Sequence, residues 1–253
     1  MKIIIITQND PFFLSENIKY LYHNLPNDIN IEGVILSNPS PFGRKEKLIK
    51  KALKTIKIFG INFFIFYSIK FLISKLFRNN LDNTLRKLGV KIIKLQKSIN
   101  DKESLDLIKS YKPDLLVSIL GNEIFKKDLI QLAKFGCINL HSSLLPKYRG
   151  LMPTFWVLRN NEKYTGVSVF FVDEGIDSGP IIMQRKILIG NSTHYGLIKK
   201  TKKIGMDLIL IAITKIKNKD INLVENMNSK KSYYSFPTRS DIKIFINSGK
   251  KFF

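Results

Sequence analysis

Residues 1–36, MKIIIITQNDPFFLSENIKYLYHNLPNDINIEGVIL, decide the fold class. The β-branched run Ile3–Ile6 stops at a polar turn, which marks a strand buried on both faces rather than a bilayer or secretory core. Asp10-Pro11 fits an N-cap followed by proline at the first helical position, and residues 12–25 space their apolar side chains at helical intervals. INIEGVIL, 29–36, then reads as a second strand. The order strand, helix, strand predicts a parallel, doubly wound α/β sheet. No G-x-G-x-x-G follows the first strand, so a dinucleotide cradle and nicotinamide chemistry are not expected.

The same alternation continues outward. Residues 44–78 form an unusual helical insertion, a basic helix ending near Gly60 and then a strongly apolar one carrying Lys70 and Lys75. The longest uncharged run there, Ile58 to Ile69, has 12 residues, fewer than the roughly 18–20 that span a bilayer. Two readings stand: helices packed on the domain with lysines outward, or a functional surface, either a peripheral membrane contact through 58–77 or a cover for the substrate site. Next come a helix near 81–88 stopped by Gly89, a strand VKIIKL at 90–95, and a helix from 101 with Asn100 and Glu103 in capping-box positions. DLLVSILG, 114–121, is a buried central strand, and EIFKKDLIQLA, 123–133, is read as a helix. A strand at 137–141, a short helix at 153–160, strands at 165–172 and 181–189 and a long helix at 193–217 follow. A main domain over 1–218 with a short appendage at 219–253, itself a short strand and a terminal helix, is the expected organisation.

Composition narrows the function. The 253 residues are 44% hydrophobic and carry a net charge of +22, with one cysteine. A lone Cys137 cannot make an internal disulfide, and the opening shows no cleavable leader, so a cytoplasmic location is expected, with peripheral attachment to the inner membrane face as an extension of the second insertion reading. The charge invites nucleic acid, but only 7 of the 42 basic residues are arginine and the lysines are spread throughout. Specific nucleic-acid binding is therefore not expected; anionic small molecules or an anionic surface suit such a field equally. A homodimer is among the assemblies the sequence leaves open.

Chemistry concentrates in two segments. CINLHSSLLPKYRG, 137–150, runs from an apolar strand into a polar loop. Strand alternation puts Asn139 and His141 on one face, at the strand end where open α/β sheets place ligands. An amide donor beside an imidazole can serve a developing oxyanion and a proton transfer, although a histidine beside two serines also suits a purely structural role. VFFVDEGIDSGPII, 169–182, breaks a strand with Asp173, Glu174, Gly175, Asp177 and Gly179. It reads either as a solvated hairpin loop or as the source of a carboxylate for the imidazole. The spacing matches no metal motif, and no metal is expected.

Residues 136–150, 153–182 and, less distinctly, 114–121 resemble the folate-dependent formyltransferase family, which includes methionyl-tRNA formyltransferase, glycinamide ribonucleotide transformylase and sugar-nucleotide N-formyltransferases. The resemblance is specific over about 111–190. It implies a Rossmann-like, mostly parallel sheet flanked by helices and N10-formyltetrahydrofolate as formyl donor, with Asn139, His141 and Asp177 at the catalytic positions. The donor is expected between Leu120-Gly121 and the loop Asp173, Glu174, Gly175 and Ile176.

Lys147, Tyr148 and Arg149 are the expected acceptor contacts, cations for an anionic group and a ring for a base. The 44–78 insertion and the SYYSFPTRSD tail look most like the sugar-modifying branch, so the expected acceptor is a nucleotide-linked amino deoxysugar of surface polysaccharide such as O-antigen. Methionyl-tRNA and glycinamide ribonucleotide are the alternative acceptors; tRNA is disfavoured by the few residues beyond 218. A membrane-docked nucleotide-sugar binding module is the non-enzyme alternative.

Overall fold

The computed structural model describes residues 1–37, 48–77, 80–121 and 123–253. β1 (Lys2–Gln8) is hydrogen-bonded on both sides, parallel to β2 (Asn30–Ser37) and to β4 (Leu115–Ile119). Ile3 and Ile5 face one core cluster and Ile4 and Ile6 the other, all essentially buried. That two-sided burial is why the strand reads as a continuous β-branched run. Among the described residues the sheet has seven strands in the order β3-β2-β1-β4-β5-β7-β8, where β3 is Ile92–Ile93, β5 Cys137–His141, β7 Tyr164–Phe171 and β8 Ile181–Leu188. The first five are parallel, while β7 runs antiparallel to β5 and β8 antiparallel to β7. The mostly parallel α/β sheet expected from residues 1–36 is thus observed.

Helices cover both faces. α1 (Leu14–Asn24), α4 (Leu81–Lys87) and the long α8 (His194–Lys217) bury one face; α5 (Lys102–Ser110) and α6 (Lys127–Ile130) bury the other. α8 comes so close to β5 that a Cβ on Gly205 would lie 2.6 Å from Leu140 Cδ2. Leu140 therefore points at α8, and Asn139 and His141 point to the opposite face.

Several local signals are realised differently. Asp10 does not cap α1: its carboxylate accepts the Phe12 and Phe13 N–H groups at 2.9 and 3.2 Å, forming a bend before a helix that starts at Leu14. The Asn100–Glu103 capping box is absent because both side chains are engaged elsewhere. Asn100 donates to Ile124 O and accepts from Lys126 N–H, both at 2.8 Å, and Glu103 pairs with Lys97. The Glu123 carboxylate likewise accepts from Ser98 Oγ and the Ile99 N–H. These ties hold 123–126 in an irregular loop, so the helix expected over 123–133 shrinks to four residues.

The insertion is a helical hairpin, α2 (Leu48–Phe59) and α3 (Ile61–Leu76), joined at Gly60; its expected first residues, 44–47, and its last, 78, lie outside the described residues. Phe59 and Phe63 enter an aromatic cluster with Phe252, Phe245 and residues of α7 (Pro153–Arg159). Segment 219–253 lies along the main body. Its strand β9 (Tyr233–Tyr234) pairs in parallel with β6 (Arg149–Gly150), and α9 (Arg239–Asn247) opens with a complete Thr238–Asp241 capping box.

His194, at the start of α8, is buried against Phe155, Phe252 and Thr154, and burial holds its pKa down to about 4 from the ordinary 6.5. The unfolded chain takes up a proton near 6.5 while the native chain resists until about 4. Stability should fall as pH drops across that window, by on the order of 3 kcal/mol, and fall no further below it. Thermal melts at pH 7 and 4.5 should show this loss in the wild type and a flatter dependence in His194→Gln; equal slopes would reject the assignment.

Candidate active site

β5 delivers two polar side chains from inside an apolar sheet. In the register, Ser118 of β4 stands opposite Asn139, and Ser168 of β7 opposite His141. Residues two apart on one strand face lie about 7 Å from each other. Among the described residues the half-buried Asn139 amide has no hydrogen-bond partner, which leaves its N–H groups free for a ligand.

His141 is buried and held from both sides. Nε2 lies 2.7 Å from Tyr148 O; a carbonyl only accepts, so this nitrogen is assigned the hydrogen. Nδ1 faces Asp177 Oδ2 at 3.5 Å. That separation is longer than a normal N–H···O bond. The same Oδ2 accepts the Gly150 N–H at 2.8 Å, which fixes the carboxylate. Here glycine is required, because φ is +93° and a Cβ would lie 2.3 Å from Tyr234 O. Leu120, Tyr148, Met152 and Asp177 also have φ between +49° and +60°. Strained backbone of this kind gathers at functional sites when the surroundings enforce it.

Those surroundings are explicit. Ser168 Oγ donates to Ser143 O at 2.6 Å and accepts the Leu145 N–H at 3.1 Å, while Gln184 Nε2 donates to Leu145 O and to Ser168 Oγ. This network shapes the loop after β5, where the Leu145–Pro146 peptide is cis. Asn226 anchors the acidic loop: its amide donates to Asp177 O at 2.9 Å and Gly179 O at 3.0 Å. In the same loop Asp173 accepts from the Gly175 N–H and from Ser178 Oγ. Ser168 was detectable as a polar residue in an otherwise apolar strand. Asn226, 49 positions from Asp177, carried no signal.

The structure thus gathers Asn139, His141 and Asp177 at one place. Leu120-Gly121 continues β4 just past the Ile119–Leu140 pair, and the segment 173–176 starts just past Phe171, which pairs with Ile138. The two segments bracket opposite ends of the stretch of β5 bearing the amide and imidazole.

Two of the three expected acceptor contacts are not available as expected. Arg149 is buried, its guanidinium donating to Asn226 O, Asn226 Oδ1 and Asn228 Oδ1, because the β6–β9 pairing folds the tail over it. Tyr148 is also internal, stacked on Tyr234 at 5.1 Å, with its hydroxyl donating to Glu162. Burial, then Glu162, pushes its phenol well above the ordinary value. Lys147 remains exposed. The solvent-facing ring is instead Tyr233, 54% exposed, whose edge lies over Gly150.

Removing the Asn226 side chain leaves two loop carbonyls and the Arg149 guanidinium short of partners in a buried setting. Asn226→Ala should lower stability by about 2–3 kcal/mol and slow catalysis about tenfold by loosening Asp177. Melting temperature and kcat/KM measured together check this, and an unchanged turnover would show that Asp177 needs no such anchor.

The formyl transferase family model matches residues 1–213. A methionyl-tRNA formyltransferase of Kosmotoga olearia is 30% identical over 251 residues, covering 98% of this chain and 70% of its own length. Two further methionyl-tRNA formyltransferases match over 51% and 52% of their lengths. Among solved structures, the N-formyltransferase from Helicobacter canadensis, in complex with folinic acid and dTDP-3-aminofucose, aligns with a TM-score of 0.57 at 21% identity, over 93% of this chain and 71% of that one. Phosphoribosylglycinamide formyltransferase from Bacillus halodurans aligns at 0.60 and 20% identity, over 87% and 96%. The structural likenesses agree with the mostly parallel sheet described above. Matched over most of its length, and 30% identical to a relative of which it spans 70%, the chain belongs to the formyl transferase family.

Proposed function

We propose that this protein transfers the formyl group of N10-formyltetrahydrofolate to the amino group of a nucleotide-linked amino deoxysugar. The observation that carries the reaction type is the His141–Asp177 pair beside the Asn139 amide, which has no hydrogen-bond partner among the described residues. The donor supplies an activated formyl carbon. Asn139 would donate to the formyl oxygen as negative charge builds there under attack by the neutral amine, and an imidazolium at His141 would add its positive charge. Asp177 would hold that imidazole in place. The proton lost by the attacking amine passes to the departing folate nitrogen, His141 Nδ1 being placed to relay it. No covalent enzyme intermediate is required. Leu120, Gly121 and the loop 173–176 would contact the donor from the two ends of the β5 stretch.

The acceptor assignment is supported by the fold likeness to solved sugar N-formyltransferases and by an exposed ring and cation, Tyr233 and Lys147, at the rim of the same centre. Tyr233 would stack on the nucleotide base and Lys147 would meet its phosphates. Tyr233→Ala should raise the acceptor KM about 5- to 100-fold, leaving kcat and the folate KM nearly unchanged. An unaltered acceptor KM would remove this residue from the site.

A second reading, formylation of methionyl-tRNA, is favoured by the sequence relatives. One experiment separates the two: the donor is supplied with a panel of nucleotide amino-sugars, glycinamide ribonucleotide and charged methionyl-tRNA, and products heavier by one formyl group are sought. Formylated sugar nucleotide is expected. Product from charged tRNA alone would replace the sugar reading.

A further inference from the structure

The α2–α3 hairpin is amphipathic in the wrong direction for a solvated helix. On α3, Phe63, Tyr67 and Ser74 face the body, against Phe252, Phe12 and neighbouring groups. Ile61, Ile65, Ile69, Leu72 and Leu76 recur at intervals of four and three, so they share an arc of about 80° on the side turned away. They are 48–78% exposed. Ile49 and Leu53, one turn apart on α2, are exposed too. A water-facing stripe would ordinarily be polar, and a contiguous exposed apolar surface marks an interaction site.

Charge identifies the partner. Residues 48–77 contain Lys50, Lys51, Lys54, Lys57, Lys70 and Lys75 and no Asp or Glu. Beside the stripe, a hollow of about 830 Å³ between α1, α3 and α8 is lined by Ile73 and Phe77 together with Lys70, Lys199, Lys200 and Lys203; among the described residues Glu16 is the one acid on its wall. Among the described residues no helix is long and apolar enough to cross a membrane, and α3, at 16 residues, is about 24 Å long. We propose that the outer face of this hairpin docks on an anionic lipid surface, the α3 stripe lying in the headgroup–acyl boundary and the lysines of the hollow receiving lipid phosphates. A second copy of this chain suits the face poorly, because pairing two hairpins would bring together two lysine sets with no acids between them.

The test uses the full chain in flotation with phosphatidylcholine vesicles, with and without phosphatidylglycerol. Binding to the phosphatidylglycerol vesicles is expected to exceed that to phosphatidylcholine alone at least about tenfold and to weaken as salt is raised. The double substitution Ile65→Glu, Leu72→Glu should reduce binding at least about tenfold with unchanged melting temperature. It should leave formyl transfer to a water-soluble acceptor unaltered, which separates this docking from the catalytic assignment. Equal flotation of variant and wild type, or no dependence on phosphatidylglycerol, would overturn the proposal. So would a concentration-dependent dimer in sedimentation that the double substitution abolishes.

Discussion

His141→Gln should slow formyl transfer by about 10³-fold, within the 10²–10⁴ range of a positioned acid–base group. The glutamine amide reaches the position of Nε2 and can still donate toward Tyr148 O, which His141 Nε2 holds at 2.7 Å, so the loop need not collapse. What disappears is the ring nitrogen 3.5 Å from Asp177, and with it the positive charge proposed beside the formyl oxygen and the proton relay. Folate affinity, measured by fluorescence titration, should change little, and the melting temperature by only a few degrees. Turnover within threefold or so of wild type would show that His141 is a structural histidine.

Asn139→Ala should cost about 10²–10³-fold in kcat with little loss of stability. The asymmetry follows from its surroundings: the amide has no partner among the described residues, so truncation strands no buried donor or acceptor. Asn139→Asp should be slower still, since a carboxylate would repel the growing oxyanion at the same position. Rapid-quench single turnovers separate the chemical step from binding. A normal chemical step in Asn139→Ala would dismiss the amide as an oxyanion donor.

The parts of the chain that were legible in sequence share one property: a periodicity or a residue type imposed by burial. The run at Ile3–Ile6 announces a strand covered on both faces, and alternation alone places Asn139 and His141 together, away from Leu140 and α8. The aspartate that joins them was legible through family resemblance, not periodicity, because Asp177 arrives from a loop beyond β7. Signals failed where a distant segment competed for the same side chain. Asn100 could have capped α5 but serves Ile124 and Lys126, and that exchange also shortens the following helix to Lys127–Ile130. Arg149 reads as a solvent-facing cation until the tail pairs β9 with β6 and surrounds its guanidinium with Asn226 and Asn228. Two-residue strands and isolated asparagines leave no pattern to find.

The tail also explains how the site is braced. Asn226 holds both Arg149 and the backbone at Asp177 and Gly179, Ser232 Oγ accepts the Tyr148 N–H, and Tyr234 O accepts the Leu151 N–H. Residues 226–234 therefore fix the positions of both ring-nitrogen partners of His141, through Tyr148 on one side and Asp177 on the other.

If a folate-borne formyl carbon is received between Asn139, His141 and Asp177, the structure of the protein with 5-formyltetrahydrofolate, a donor analogue that does not transfer its formyl group, should show it. The pterin is expected between Leu120-Gly121 and the 173–176 loop, with the Asn139 amide and His141 Nδ1 each within about 4 Å of where the transferable formyl oxygen would sit. A folate bound elsewhere, or bound there with these two side chains turned away from that position, would contradict it.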